Sequence, residues 1–360
     1  MADTQALQAA VDTADLIHLA PNAEYVVASV DFHEGITIDG HGSTVRRPAN
    51  APNWTRTFTN ENRLPPASAD DRAPIRLRNM TIDGNLVEQG PWQGYELEQA
   101  MLVSISGNPG GPGRQPFLTE NVKVINSPSD GLHLNRNVRA TLVNTEGVDC
   151  FRGGITVTGG HTIVEIVGYT GSGDVCGAHL DIEIDSAGYG GSKTITVNGT
   201  DVADLTPIGV GKSTQISAYG DSRITFTRMT ALSGLYVYNR EGVTQFIDSE
   251  IHVSSAPYTG QMLMPGRTTF RDTTMVVHGH GDEPGTVYGH QITWYPSGWD
   301  THPGVVTYDN VTWEAVGFAP GDVLDAAVRT DSASTDQAAR VVVVGGDLGP
   351  FARTVAWQTT

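Results

Sequence analysis

The sequence predicts an all-β chain wound as a solenoid, on three observations. First, short β-branched runs closed by Gly, Asn or Asp punctuate the chain: Tyr25-Val-Val27, Gly35-Ile-Thr-Ile-Asp-Gly40, and Ile75 to Gly84. Such bounded runs read as strands. Second, blocks recur. Gly131-Leu-His-Leu134, Gly154-Ile-Thr-Val157, Gly177-Ala-His-Leu180 and Gly234-Leu-Tyr-Val237 are near-equivalent, the first three 23 residues apart, and blocks of a second kind such as Ala140-Thr-Leu-Val-Asn144 and Thr269-Phe-Arg-Asp272 fall between and after them. Third, no second clear helix occurs before about residue 320, which disfavours alternating β/α folds. A repeat of this length built only from strands stacks each turn about 4.8 Å above the last, through parallel ladders.

Taken in order, residues 1–20 form a capping segment. The run from Asp3 to Asp15 has helical periodicity, with Asp3 or Thr4 as N-cap and Leu7, Ala10, Val11 and Ala14 on one apolar face. Residues 21–312 form the solenoid, interrupted near 48–74 and 86–117 by Pro-, Gly- and Asn-rich loops that carry Trp54, Trp92 and Tyr95. The tail, 313–360, loses the rhythm and is expected to cap the solenoid or pair with other subunits. Within it Arg340-Val-Val-Val-Val-Gly345 reads as one buried strand.

Composition removes several function classes. Forty acidic against 22 basic residues leave a net charge of −18, and only Lys123, Lys193 and Lys212 are lysines. A polyphosphate partner needs clustered cations that release counterions, so nucleic-acid binding is not expected. Apolar runs are far shorter than the roughly 18 residues of a membrane span, and the first basic residue is Arg46, so neither membrane insertion nor an export leader is predicted. Cys150 and Cys176 make no disulfide framework and no four-ligand zinc site. A Lys-poor, Asp-rich chain resembles proteins of extreme halophiles and their viruses: at molar salt the Debye length falls to about 3 Å, so surplus carboxylates repel one another little. An acidic mesophilic protein is the alternative.

The opening run Asp3-Thr-Gln-Ala-Leu-Gln-Ala-Ala-Val11, then Ile17 to Tyr25, then Gly35-Ile-Thr-Ile-Asp-Gly-His-Gly-Ser-Thr44, resembles the start of right-handed parallel β-helices of the pectin-lyase-like superfamily. The coils from Arg152 to Gly160 and from Gly177 to Glu183 look like those of tailspike-type viral members. The resemblance covers residues 3–312. It implies a single-stranded right-handed parallel β-helix with a short N-terminal helix over its first coil, and it leaves activity open, because lyases, hydrolases, epimerases and non-catalytic spikes share this fold. Polygalacturonase-like members carry Asn-Thr-Asp, Asp-Asp, Gly-His-Gly and Arg-Ile-Lys in that order; here Gly279-His-Gly281 stands without the others. Gly40-His-Gly42 is expected to shape the first coil.

The strongest polar constellation lies on consecutive coils. In Ala178-His-Leu-Asp-Ile-Glu-Ile-Asp185 alternation sends Leu180, Ile182 and Ile184 inward and His179, Asp181, Glu183 and Asp185 outward. A 23-residue register sets His133 two rungs from His179, with Thr156 between them and Arg152 on an adjoining turn. Carboxylates at i and i+2 stand about 7 Å apart, a spacing used by two-carboxylate glycosidases. The row therefore reads either as acid/base machinery, with Asp181 or Glu183 as acid, or as a hydrated acidic face. His278, His280 and Asp282 are candidate ligands of a divalent metal or part of a glycine-flanked turn. No other cofactor is expected. Trp294, Tyr295 and Trp299, with Trp92, Tyr95 and His133, are candidate sugar contacts, since flat aromatic faces stack on C–H surfaces.

These readings converge on a virion surface spike or decoration protein of a halophile virus, trimeric by analogy, that binds host surface glycans or surface-layer glycoprotein and contacts other virion proteins. The alternative is a polysaccharide-active enzyme on the same scaffold.

Overall fold

The computed structural model describes residues 2–64, 72–89, 97, 99–108, 113–173, 178–183, 194–202, 212–216, 222–231, 235–238, 242–254, 261–264, 267–279, 286–292, 304–318, 320–331 and 340–358. The chain divides into two units, Met1–Ile195 and Thr196–Thr360. Each is a stack of parallel β-helical coils, as the sequence predicts.

In the first unit a long-strand sheet runs Leu16–His18, Thr37–Arg46, Ile75–Asp83, Gln115–Ile125, Val138–Val148, Ile163–Ser172, every neighbour parallel. A short-strand sheet runs Val30–Asp31, Phe58–Thr59, Val103–Ser106, Asp130–Asn135, Gly153–Thr158, Ala178–Ile182. Aliphatic side chains fill the space within the coils: Val103, Ile105, Leu132, Leu134, Ile155, Val157, Leu180 and Ile182 are all wholly buried. The bend within Ile75–Asp83, Gln115–Ile125 and Val138–Val148 is marked by an asparagine in the left-handed region, Asn79, Asn121 and Asn144, at φ 54°, 52° and 48°. Asparagine tolerates this conformation better than most residues. Its side chain also bonds along the stack, Asn144 to Asn121 at 3.2 Å, Asn121 to Asn79 at 3.0 Å and Asn79 to Asp39 at 3.1 Å.

The helix spans Ala2–Val11 and buries Leu7 and Val11. It therefore ends short of the expected Asp15, and Asp3 and Thr4 lie inside it rather than capping its own start. Their side chains instead accept the backbone N–H groups of Val26 and Ala28, while Gln8 takes both the N–H and the carbonyl of Asp31. An open strand edge needs such partners, and three helical side chains supply them.

In the second unit one row pairs Arg223–Ala231, Val243–Ile247, Arg267–Arg271, Val305–Asp309 and Arg340–Val344. Glu250–Ser254, Thr274–His278 and Thr312–Val316 pair in parallel with one another, and the first of them also pairs with the end of Arg223–Ala231. A further row pairs Gln261–Met264, Thr286–Ile292, Val323–Asp331 and Arg353–Gln358. Register aligns Phe226, Phe246, Phe270 and Tyr308, whose buried rings stack at 4.9, 5.0 and 5.3 Å. Strand pairing thus continues beyond 312, and the role of the tail as cap or subunit contact stays a proposal. Arg340–Val344 is a strand as expected, but it is not buried: Val343 and Val344 are 40% and 54% exposed, because this strand is the last rung of its row.

Candidate functional site

The short-strand sheet of the first unit carries the constellation on its outward face, with a register that differs from expectation. Leu132 pairs with Ile155, 23 residues on, but Ile155 pairs with Leu180, 25 residues on. One extra residue lies between Thr158 and Ile163 and another between Ser172 and Ala178. Asp181, not His179, is therefore the residue two rungs from His133, with Thr156 between.

His179 is not outward. It is 1% exposed, and its Cβ and Cγ lie against Gly171 in space that a side chain there would fill. Its carbonyl accepts the buried Tyr169 hydroxyl at 2.8 Å. Strict alternation fails at this corner of the coil, where the earlier coils carry Gly131 and Gly154 and leave room.

The outward row is polar but covered. Asp130, His133 and Asp181 are 0%, 7% and 6% exposed, so the expectation of a hydrated acidic face does not hold there. His133 Nδ1 is 3.1 Å from Ser104 Oγ and its Nε2 is 2.9 Å from Thr158 Oγ1. Burial, reinforced by the positive charges of Arg56 and Arg152, lowers its pKa to about 3. The ring is thus neutral at ordinary pH and bridges two hydroxyls. Thr156 Oγ1 donates to Asp130 Oδ1 at 2.8 Å, and Arg152 spans Asp130 at 3.6 Å and Glu183, with which it hydrogen-bonds.

Beside that covered row Asn135 and Thr158 are half-buried and form a partly open strip, linked side chain to side chain with each other and with the buried Ser106. Arg152–Glu183 closes one end. At the other, the insertion after Arg47 contributes Arg56–Glu61, and Glu61 Oε1 accepts from Ser104 at 3.1 Å and Ser106 at 3.3 Å. Asn60 completes the anchoring with two 2.8 Å bonds to the Ser106 backbone. Arg47, wholly buried, holds this insertion by donating to Pro52, Thr55 and Gln89, and burial lowers its pKa to about 10. Sequence reasoning missed Arg56 and Glu61, since only the path of the insertion brings them to the strip.

Elsewhere in this unit, a cleft of about 280 Å³ on the long-strand sheet is lined by Arg76, Arg78, Leu118, Glu120, Thr141 and Val143. Cys150 is buried and its thiol pKa is pushed up to about 12 by burial, which makes it inert. In the second unit His278 ends the strand Thr274–His278 and its Nε2 lies 2.7 Å from Nδ1 of His252. Among the described residues, then, it meets a histidine of the adjacent coil. Asp185, Trp92, Tyr95, Trp294, Tyr295, Trp299, His280, Asp282 and Cys176 lie outside the described residues.

No protein-family model matches the chain, and no curated protein is significantly similar to it in sequence. Among solved structures it is similar to the A-module of the mannuronan C-5 epimerase AlgE4 of Azotobacter vinelandii, at TM-score 0.53 and 11% identity over 99% of this chain and 95% of that one. It is also similar to the catalytic domain of a GH87 α-1,3-glucanase, at TM-score 0.48 and 12% identity over 94% of this chain and 65% of the other. A tailspike protein of bacteriophage CBA120 follows at TM-score 0.34 and 12% identity, over 94% and 56%. The first likeness establishes the fold, a right-handed parallel β-helix, and nothing finer; the other two are too weak to bear on function.

Proposed function

We propose that this chain is a glycan-binding β-helix, carried as a trimeric spike or decoration protein on the particle of a virus of a salt-loving host, where it binds host surface glycans or surface-layer glycoprotein. The observation that carries the binding half is the strip Ser106–Asn135–Thr158, an array of hydroxyl and amide groups closed at both ends by an arginine–carboxylate pair. Sugar hydroxyls donate and accept in the same way, and groups already fixed by one another lose little freedom on binding. The acidic, lysine-poor composition supports the setting.

The enzymatic alternative needs a proton donor here. Glu183 is engaged in an ion pair with Arg152, whereas a general acid must be free to hand a proton to the leaving group. The test incubates the full chain at molar salt with host exopolysaccharide and with neutral and uronate-containing oligosaccharides. Binding without new reducing ends or unsaturated sugars is expected. Cleavage that disappears in Glu183→Gln would replace this reading with a depolymerase.

A further inference from the structure

The turn Gly40-His41-Gly42 departs from the coil pattern. In the pairing of Thr37–Arg46 with Ile75–Asp83, Asp39 faces Arg78 and Ser43 faces Met80, so three residues stand where the next coil has only Asn79. Gly40 leaves no room for a side chain, and Gly42 adopts a backbone conformation that L side chains rarely take. A Cβ on Gly40 would lie 2.4 Å from the Met80 Cβ, and one on Gly42, at φ +82°, would lie 2.7 Å from Asn22 Oδ1. The middle position alone has room for a side chain, and there a histidine adopts φ 47°. Bulges commonly re-aim one side chain, and a non-glycine residue in this region is a cue for function.

The bulge delivers His41 onto His18 of the preceding strand. The rings stack at 5.1 Å, and His18 Nδ1 lies 2.9 Å from His41 Nε2. Asp39, the register partner of His18, brings Oδ1 to 3.8 Å from His41 Nδ1, the ring nitrogen on the side away from His18. One ligand atom from each of the three residues falls within 4.8 Å of the others. Two imidazole nitrogens at right angles about an ion roughly 2.1 Å from each stand about 3 Å apart. Asp39 is steadied from outside by Asn79 at 3.1 Å and Arg78 at 2.9 Å, the kind of support that ligating carboxylates receive.

We propose that His18, Asp39 and His41 bind a divalent transition-metal ion of the zinc, nickel, cobalt or copper class, with water completing its coordination. A second histidine pair serves as an internal contrast. His252 and His278 stack at 4.9 Å and Glu250 lies 2.8 Å from His252 Nε2, the nitrogen opposite His278, and these three residues do not gather one ligand atom each within 4.8 Å of one another as His18, Asp39 and His41 do. That arrangement is a hydrogen-bonded relay.

Titration of the chelator-treated full chain with Co²⁺, read by calorimetry and by the visible absorption of the bound ion, tests this. One ion per chain is expected, with binding weakened at least about tenfold in His18→Ala and in His41→Asn and unchanged in His252→Ala. The asparagine keeps a residue suited to the left-handed turn, and circular dichroism verifies that each variant is folded. Absence of binding, binding that survives both substitutions, or loss of binding in His252→Ala would each overturn the proposal.

Discussion

Two rows of side chains, one in each unit, show how one repeating backbone serves opposite chemistries. In the second unit Phe226, Phe246, Phe270 and Tyr308 stack face to face and are wholly buried. In the first unit Ser104, His133, Thr156 and Asp181 occupy successive rungs and are nearly as buried, yet each side chain is polar. Parallel strands about 4.8 Å apart place like positions at ring-stacking distance or within reach of a shared hydrogen bond. The coil therefore amplifies whichever chemistry its register aligns. An aromatic row gives cohesion; a polar row gives a fixed array of donors and acceptors whose open margin can meet a ligand.

The comparison is broken most forcefully by Phe246→Ala. It removes the middle of the aromatic row and is expected to cost about 3–5 kcal/mol, as buried Phe truncations do. Urea unfolding measures the loss, and unchanged glycan binding by the folded variant would confirm that the two rows do separate work.

Acid acts on the other row. The pKa of His133 is about 3 in the folded chain against about 6.5 unfolded. The unfolded state thus binds the proton first, and the contribution of this group is whole above pH 6.5 and falls as pH drops toward 3 at about 1.4 kcal/mol per unit. Chemical denaturation at pH 6.5 and 5 should differ by about 2 kcal/mol from this group, a difference that His133→Gln abolishes. The smallest effect belongs to the exposed Lys123–Glu146 pair at 2.7 Å. Lys123→Ala is expected to cost under about 1 kcal/mol, and less at high salt, in the same denaturation assay.

The coils were legible because Gly–apolar–polar–apolar blocks repeat along the chain, and periodicity of that kind is what strand stacking demands. Register was less so. Blocks at Gly131, Gly154 and Gly177 repeat every 23 residues in sequence, but single extra residues between strands shift the pairing and bring Asp181 where His179 was expected. Inside and outside were also misjudged for His179, since alternation describes a straight strand and not the corner where Gly171 makes room. Arg56 and Glu61 were invisible because irregular segments carry no period. Asn79 and Asn310 match a glycosylation pattern, Asn-x-Thr, yet both are left-handed turn residues that donate to Asp39 and Asp272 along the stack.

The most direct measurement is calorimetric titration of a host-surface oligosaccharide into the full chain at molar salt, compared with Asn135→Ala. Asn135 lies at the centre of the open strip, bonded to Ser106 and Thr158. Loss of one or two hydrogen bonds should weaken binding about tenfold, with no product formed by either protein. Equal affinity for the variant, or a shortened oligosaccharide after incubation with the parent chain, would contradict the account.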